Sequence, residues 1–380
     1  MTRVLLIITF FLISLLSLFK APAYYLWLLA IGVTEYPLIF AGISAVLVLS
    51  GFWVQKYQLL GTLVGLISIC VFLSPIVKAY VAGYDLNTDF NSTFSQYGKI
   101  THVQDSQTPF SVSKLFAHNK PVAAKSITYV KFADTALTLD FYPSQITGKK
   151  PCVIVVHGGS WSTGDSKQLP ELNSILAAEG YNVAAINYRM APKYQSPIPV
   201  EDVQAALKYL QENADELNID PKNFVLLGRS AGAQIALLAA YTLHEPGIKG
   251  VIDFYGPADM VWGYSAPSSP LVMNSRAVME AYLGGSYNKV PQKYVASSPL
   301  EFVTKTSVPT LIIHGQNDVL VAYDHSRRLD EKLGADSVRH YWLKLPWATH
   351  GFDYNINGPS GQLSTYTVCL FLKAVVAGTH

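Results

Sequence analysis

The sequence predicts an α/β fold, a mostly parallel central sheet with helices on both faces, preceded by N-terminal transmembrane helices. Three observations lead there. The first 83 residues hold only five charged side chains, Arg3, Lys20, Glu35, Lys56 and Lys78. From about residue 124 onward, short apolar runs alternate with stretches of helical periodicity. One such run leads into Gly228-Arg229-Ser230-Ala231-Gly232, a serine framed by glycines, and an alanine-rich segment follows. Strand–helix alternation implies parallel pairing under two helical layers.

Bulk composition narrows the function. Half of the 380 residues are hydrophobic, 14% are charged and the formal net charge is +2. There is no basic run, so no nucleic-acid partner is expected. Cys70, Cys152 and Cys369 are scattered. They form neither a disulfide framework nor a metal-ligand spacing, so they assign no redox compartment.

A membrane-crossing helix needs about 20 mostly apolar residues. Residues 4–19, a segment within 37–53, and 59–77 are the candidates, giving about three spans within residues 1–83. Pro22, Glu35 and Pro37 interrupt the apolar stretch between the first two. Tyr24, Tyr25, Trp27, Trp53, Tyr57 and Tyr80 flank the spans, as amphipathic rings do at headgroup depth. Gly61 and Gly65, four apart, would allow close helix packing. Arg3, an apolar run and Ala21-Pro22-Ala23 also fit a signal peptide. The flanking positive charges balance. Three spans from an inside N-terminus would leave the back of the chain extracytoplasmic. Residues 84–124 read as a polar linker, and Asn91-Ser92-Thr93 matches a glycosylation sequon.

Residues 125–380 read as one catalytic domain. Residues 127–132 and 136–142 look like an antiparallel strand pair. Core strands follow at 152–157, 181–189, 224–227, 251–255, 310–314 and 340–345. Helical periodicity falls at 170–179, 200–213, 324–333 and 364–377. Ligands of such sheets bind at the carboxyl ends of the strands.

Ser230 stands at that edge. Gly228 and Gly232 would remove β-carbons from a tight strand-to-helix bend, so the hydroxyl projects above the sheet. A serine hydroxyl needs a neighbouring base to become a good nucleophile. The order expected on this fold is serine, acid, histidine. Asp318 follows one core strand and His350 follows the next. The other histidines fit less well. His102 and His118 precede the domain, His244 follows the helix after Ser230, His314 ends a strand, His325 begins a helix, and His340 begins a strand. Asp324 reads as a helix cap and Asp253 as mid-strand. Gly158, Gly159 and the N–H of Ala231 are the candidate oxyanion donors. His157 reads as a brace for that loop. Trp161 reads either as a wall of the substrate pocket or as packing.

His157-Gly158-Gly159-Ser160-Trp161, the stretch 187–192, the Ser230 pentapeptide, residues 314–318 and residues 350–352 together resemble the α/β-hydrolase fold. Specifically, they resemble the acetyl-esterase and hormone-sensitive-lipase-like carboxylesterases, feruloyl-esterase-like members included. The resemblance implies ester hydrolysis through an acyl-enzyme, without metal or cofactor. Ser160 stands where many members have a third glycine. The connection at 256–306 is longer than two strands need, and it reads as a cap over the site.

The expected function is a membrane-anchored serine hydrolase of small or lipophilic carboxylic esters. Its partners would be that ester and the lipid bilayer. Two alternatives share the scaffold: an amidase, formamidase or peptidase with the same triad, and a non-catalytic binding protein.

Overall fold

The computed structural model describes residues 2–54, 56–94 and 108–376. His102 and part of the expected 84–124 linker lie outside them.

The apolar front forms helices α1 (Thr2–Ser14), α2 (Tyr24–Glu35), α3 (Pro37–Leu49) and α4 (Gln58–Tyr84), followed by α5 (Leu86–Phe94). Pro37 opens α3 at a position where its missing N–H costs nothing. The break at Tyr36 bends α2 and α3 by 89°. Arg3, at the start of α1, donates to the carbonyls of Leu47 and Val48 at 3.0 and 3.2 Å. That ties the first turn of α1 to the last turn of α3. A Cβ on Gly65 would stand 2.4 Å from Val48 Cγ2, so α3 and α4 pack where only a glycine fits.

The front differs from the sequence reading in three ways. The stretch Gln58–Phe94 is long and apolar enough to cross a bilayer, whereas Thr2–Ser17 is shorter and α2 with α3 forms a bent pair. The reason is local: Pro22, Glu35 and Pro37 break the apolar run into short helices. Second, part of the presumed linker is helix α5. Its Leu86, Phe90 and Phe94 recur every four residues and are buried against the sheet. Third, Trp27 is not an interfacial ring. It is buried against the body of the protein, while Tyr25, Trp53 and Tyr57 are exposed.

The strands are β1 (Lys125–Lys131), β2 (Ala136–Tyr142), β3 (Lys150–Val156), β4 (Asn182–Ile186), β5 (Ile219–Arg229), β6 (Ile248–Phe254), β7 (Thr310–Gly315) and β8 (His340–Leu345). They lie in the order β1-β2-β4-β3-β5-β6-β7-β8. β1 and β4 each pair antiparallel with β2, and all later pairings are parallel. β3 shows why the sheet is buried. Its β-branched run points Ile154 and Val156 into one apolar cluster and Val153 and Val155 into the other. Helices α6 (Pro170–Ala178), α7 (Ile198–Glu212), α8 (Ala231–Thr242), α9 (Met260–Ser265), α10 (Ser275–Leu283), α11 (Pro291–Ala296), α12 (Asp324–Ala335) and α13 (Pro359–Val376) complete the fold. Helix α8 is buried from Ala231 to Tyr241, the environment its small and aliphatic side chains suit. Helices α9, α10 and α11 lie within the long 256–306 connection.

Candidate active site

Strand β5 ends at Arg229 and helix α8 begins at Ala231, so Ser230 occupies the single residue between them. Its backbone lies at φ 53° and ψ −121°, a conformation that costs a non-glycine residue on the order of 1–3 kcal/mol. The two glycines make the bend possible. A Cβ on Gly228 would meet Gly232 O at 2.3 Å, and one on Gly232 would meet the carbonyl oxygens of Val156 and His157 at 2.3 Å. The Ser230 N–H donates to Phe254 O at 2.9 Å, which fixes the bend to β6.

The loop after β8 brings His350 to this serine, and the loop after β7 brings Asp318 to the histidine. His350 Nε2 lies 3.0 Å from Ser230 Oγ. His350 Nδ1 lies 2.7 Å from Asp318 Oδ2. With Nδ1–H directed at the carboxylate, Nε2 is left to accept the serine proton. All three residues named from the sequence therefore meet at one point.

Asp318 is more heavily bound than the sequence suggested. Its Oδ1 accepts the N–H groups of Leu320 and Val321 at 2.8 and 2.9 Å. Its Oδ2 also lies 3.1 Å from His314 Nε2. Burial alone would push this carboxyl up, but His350 and His314, by charge and hydrogen bond, outweigh it and hold the carboxyl well below the ordinary range. His314 itself lies 2.6 Å from Ser326 Oγ through Nδ1. His314, set aside as a strand-terminal residue, is thus part of the network. Its spacing of four from Asp318 was the available signal.

Beneath the serine, Arg229 Nε donates to Asp353 Oδ2 at 2.6 Å, with both side chains buried. Tyr255 Oη donates to the other oxygen of Asp353. The Tyr255 ring packs 4.4 Å from the His350 ring. Neither Arg229, Asp353 nor Tyr255 was singled out by pattern.

The oxyanion loop needs one correction. The Gly158 N–H donates to Gln168 Oε1 at 2.7 Å, so it is occupied within the protein. Among the described residues no hydrogen bond takes up the N–H of Gly159 or Ala231. These two N–H groups are therefore left without a protein acceptor among the described residues. His157 is buried, directs Nδ1 to Gly158 O at 2.7 Å and stacks on Tyr188 at 4.3 Å. Burial lowers its pKa. Such a ring braces the loop rather than exchanging protons.

A cavity of about 50 Å³ adjoins Ser230, walled by Ser160, Trp161, Met273, Met279, Leu320 and His325. The two methionines come from the 256–306 segment, which therefore shapes the cavity. Trp161 both packs and lines. It donates to Gln234 Oε1 at 2.9 Å and stacks on Tyr282 at 4.4 Å. His325 is buried, and burial, followed by the charge of His314, pushes it down to about 3. The remaining candidates lie elsewhere. His340 sits in β8 bonded to Asp330, and Asp324 pairs with Arg327 in the first turn of α12. Asp253 lies in β6. Among the described residues no cluster of His, Cys, Asp and Glu could hold a metal ion. An arrangement of hydroxyl, imidazole and carboxylate with two open N–H groups can accept an acyl group and stabilise the negative charge that forms.

The chain shares its fold with esterases of the α/β-hydrolase class. A bacterial heroin esterase aligns at TM-score 0.60 and 21% identity, covering 69% of this chain and 87% of that one. Esterase 2 of Thermogutta terrifontis, phosphonylated by sarin, aligns at TM-score 0.57 and 20% identity, covering 67% and 95%. The chain belongs to the BD-FAE family, whose model matches residues 139–333. Among curated relatives, Esterase LipC of Mycobacterium tuberculosis is 28% identical over 68% of this chain and 66% of its own length. The probable carboxylic ester hydrolase LipM of the same organism is 28% identical over 62% and 57%. The chain thus spans about half to two thirds of these relatives.

Proposed function

We propose that this protein is a serine hydrolase of carboxylic esters that works through an acyl-enzyme. The observation that carries the reading is the Ser230–His350–Asp318 chain of hydrogen bonds, at 3.0 and 2.7 Å. His350 Nε2 takes the Ser230 proton as Oγ attacks the ester carbonyl. The Asp318 carboxylate stabilises the imidazolium that results. The N–H groups of Gly159 and Ala231 hold the oxyanion. The imidazolium then protonates the leaving alcohol. Water, deprotonated by His350, attacks the acyl-enzyme, and the acid leaves with Ser230 restored. The esterase relatives support ester as the bond cleaved, because the triad alone serves amides equally well.

The front anchors this enzyme to a bilayer. In support, Gln58–Phe94 is apolar over the length a bilayer span needs, and its most apolar stretch is mostly exposed, unlike a core helix. Leu5, Leu12, Leu59 and Leu63 are all more than half exposed. Exposed apolar side chains such as these are matched by lipid chains. With α1 and α3 as further short spans and the N-terminus inside, the hydrolase domain lies outside. Protease accessibility of that domain in sealed, oriented vesicles tests this arrangement. The catalytic reading is tested by parallel panels of esters, amides and formamides on detergent-purified protein. Turnover of short and medium esters with no amide turnover is expected. Turnover of amides alone would replace the reading with an amidase, and no turnover of any member by folded protein would leave a binding role.

A further inference from the structure

The geometry points to Trp27, in the apolar front, as a positioning residue for His350. This rests on the reading of Ser230, His350 and Asp318 as the working site.

The Trp27 indole Nε1–H donates to the His350 carbonyl at 3.0 Å, a buried bond across 323 positions of sequence. The two rings lie 6.5 Å apart. The peptide being gripped belongs to the residue whose imidazole faces Ser230. His350 stands in a loop five residues beyond the end of β8, outside the strand ladder, so its position depends on contacts of this kind. Ile31, one turn along α2, comes within 3.5 Å of where a Cβ on Gly351 would stand. Val319 and Leu320, the two residues after Asp318, pack on the apolar cluster that contains Trp27, Ile31 and Leu16. One small cluster from the front therefore supports both the acid loop and the base loop.

Helix α2 is itself fixed at both ends. The Tyr24 N–H donates to Leu271 O at 3.0 Å, joining its start to the 256–306 segment. At its end, Asn355 Nδ2 donates to Glu35 O at 2.7 Å. Ser360 donates its N–H and its hydroxyl to the Glu35 carboxylate at 3.0 and 2.6 Å. A helix that only anchored the chain would need none of these bonds to the hydrolase domain. Nothing in them touches the reacting atoms, so the role is orientation. A misplaced base lowers the rate of proton transfer without weakening substrate binding.

The test uses the full-length protein in detergent with p-nitrophenyl butyrate as probe. Trp27→Phe keeps most of the ring and removes the donor. It is expected to lower kcat about three- to tenfold, the worth of one net hydrogen bond, with KM within about twofold. Phosphonylation of Ser230 by a fluorophosphonate should slow in parallel. Trp27→Ala should lose more. Asn355→Ala loosens the far end of α2, leaving it to the two Ser360 bonds, without touching the indole, and should show a kcat-selective loss of the same kind. It serves if Trp27→Phe does not fold. Folded variants with parental kcat and parental labelling rate would overturn the inference, as would losses confined to KM. Ser230→Ala separates the two claims. If it retains activity, the reading of the site fails. If it is inactive while Trp27→Phe and Asn355→Ala match the parent, only the role of Trp27 fails.

Discussion

His314 Nε2 and Asp318 Oδ2 lie 3.1 Å apart, both fully buried, so the carboxylate that serves His350 is held by a second imidazole. A hydrogen bond to a charged group is worth about 1.5–3 kcal/mol. His314→Phe should therefore lower kcat/KM roughly ten- to a hundredfold, as Asp318 loses one of its two anchors on Oδ2. Steady-state kinetics on an ester probe checks this. Parental kinetics would reduce His314 to a packing residue.

Asp318→Asn should be far more severe. It reverses the hydrogen-bond preference at His350 Nδ1 and favours the wrong tautomer, a change worth about 10⁴ in kcat in a comparable triad. His350→Ala should leave only the background that oxyanion donors and binding supply. Both variants should keep a native melting transition, and circular dichroism beside the kinetics distinguishes lost chemistry from lost fold.

Arg229 and Asp353 form an ion pair with both side chains buried directly under Ser230. Removing one partner leaves the other charge without compensation, at a cost of about 3–5 kcal/mol. Arg229→Met should destabilise by about that amount in chemical denaturation. The double variant Arg229→Met with Asp353→Leu should recover a large part of it, because both desolvation costs disappear together. A double variant no more stable than Arg229→Met would contradict the account.

Asp253 gives a pH signature. Burial pushes its carboxyl from 3.8 up to about 7, its Oδ1 accepts the Gly256 N–H at 2.7 Å, and its Oδ2 has no partner among the described residues. A carboxyl raised above its unfolded value favours the fold fully below pH 3.8 and loses that contribution as pH rises through about 7. Asp253→Asn does not titrate. Its stability relative to the parent should therefore grow between pH 4 and 7, by up to a few kcal/mol, and then level off. Thermal melts at pH 5 and pH 8 check this, and an equal difference at both pH values would exclude it.

Much of the fold was legible because one physical signal dominated it. Strands such as β3 are short β-branched runs ending in glycine, and the His340–Leu345 strand has the bounds its pattern suggested. The Ser230 bend was legible because glycine is the only residue its contacts admit. Asp318 and His350 were legible because each follows a recognisable strand. The rest depended on tertiary contact. Gln168 stands ten residues from Gly158, and no local pattern announces that its side chain takes that N–H. Trp27 read as a headgroup-depth ring because its neighbours are apolar, and its bond to residue 350 has no sequence signature. Helix α5 was different. Leu86, Phe90 and Phe94 recur at helical spacing, but the polar residues between them masked the stripe.

The central claim is that Ser230 is a nucleophile activated by His350. Mass spectrometry of the folded, full-length protein after fluorophosphonate treatment tests it most directly. The account predicts a single phosphonyl adduct on the peptide carrying Ser230, lost in Ser230→Ala and formed far more slowly in His350→Ala. An unmodified Ser230, or labelling that His350→Ala leaves unchanged, would contradict it.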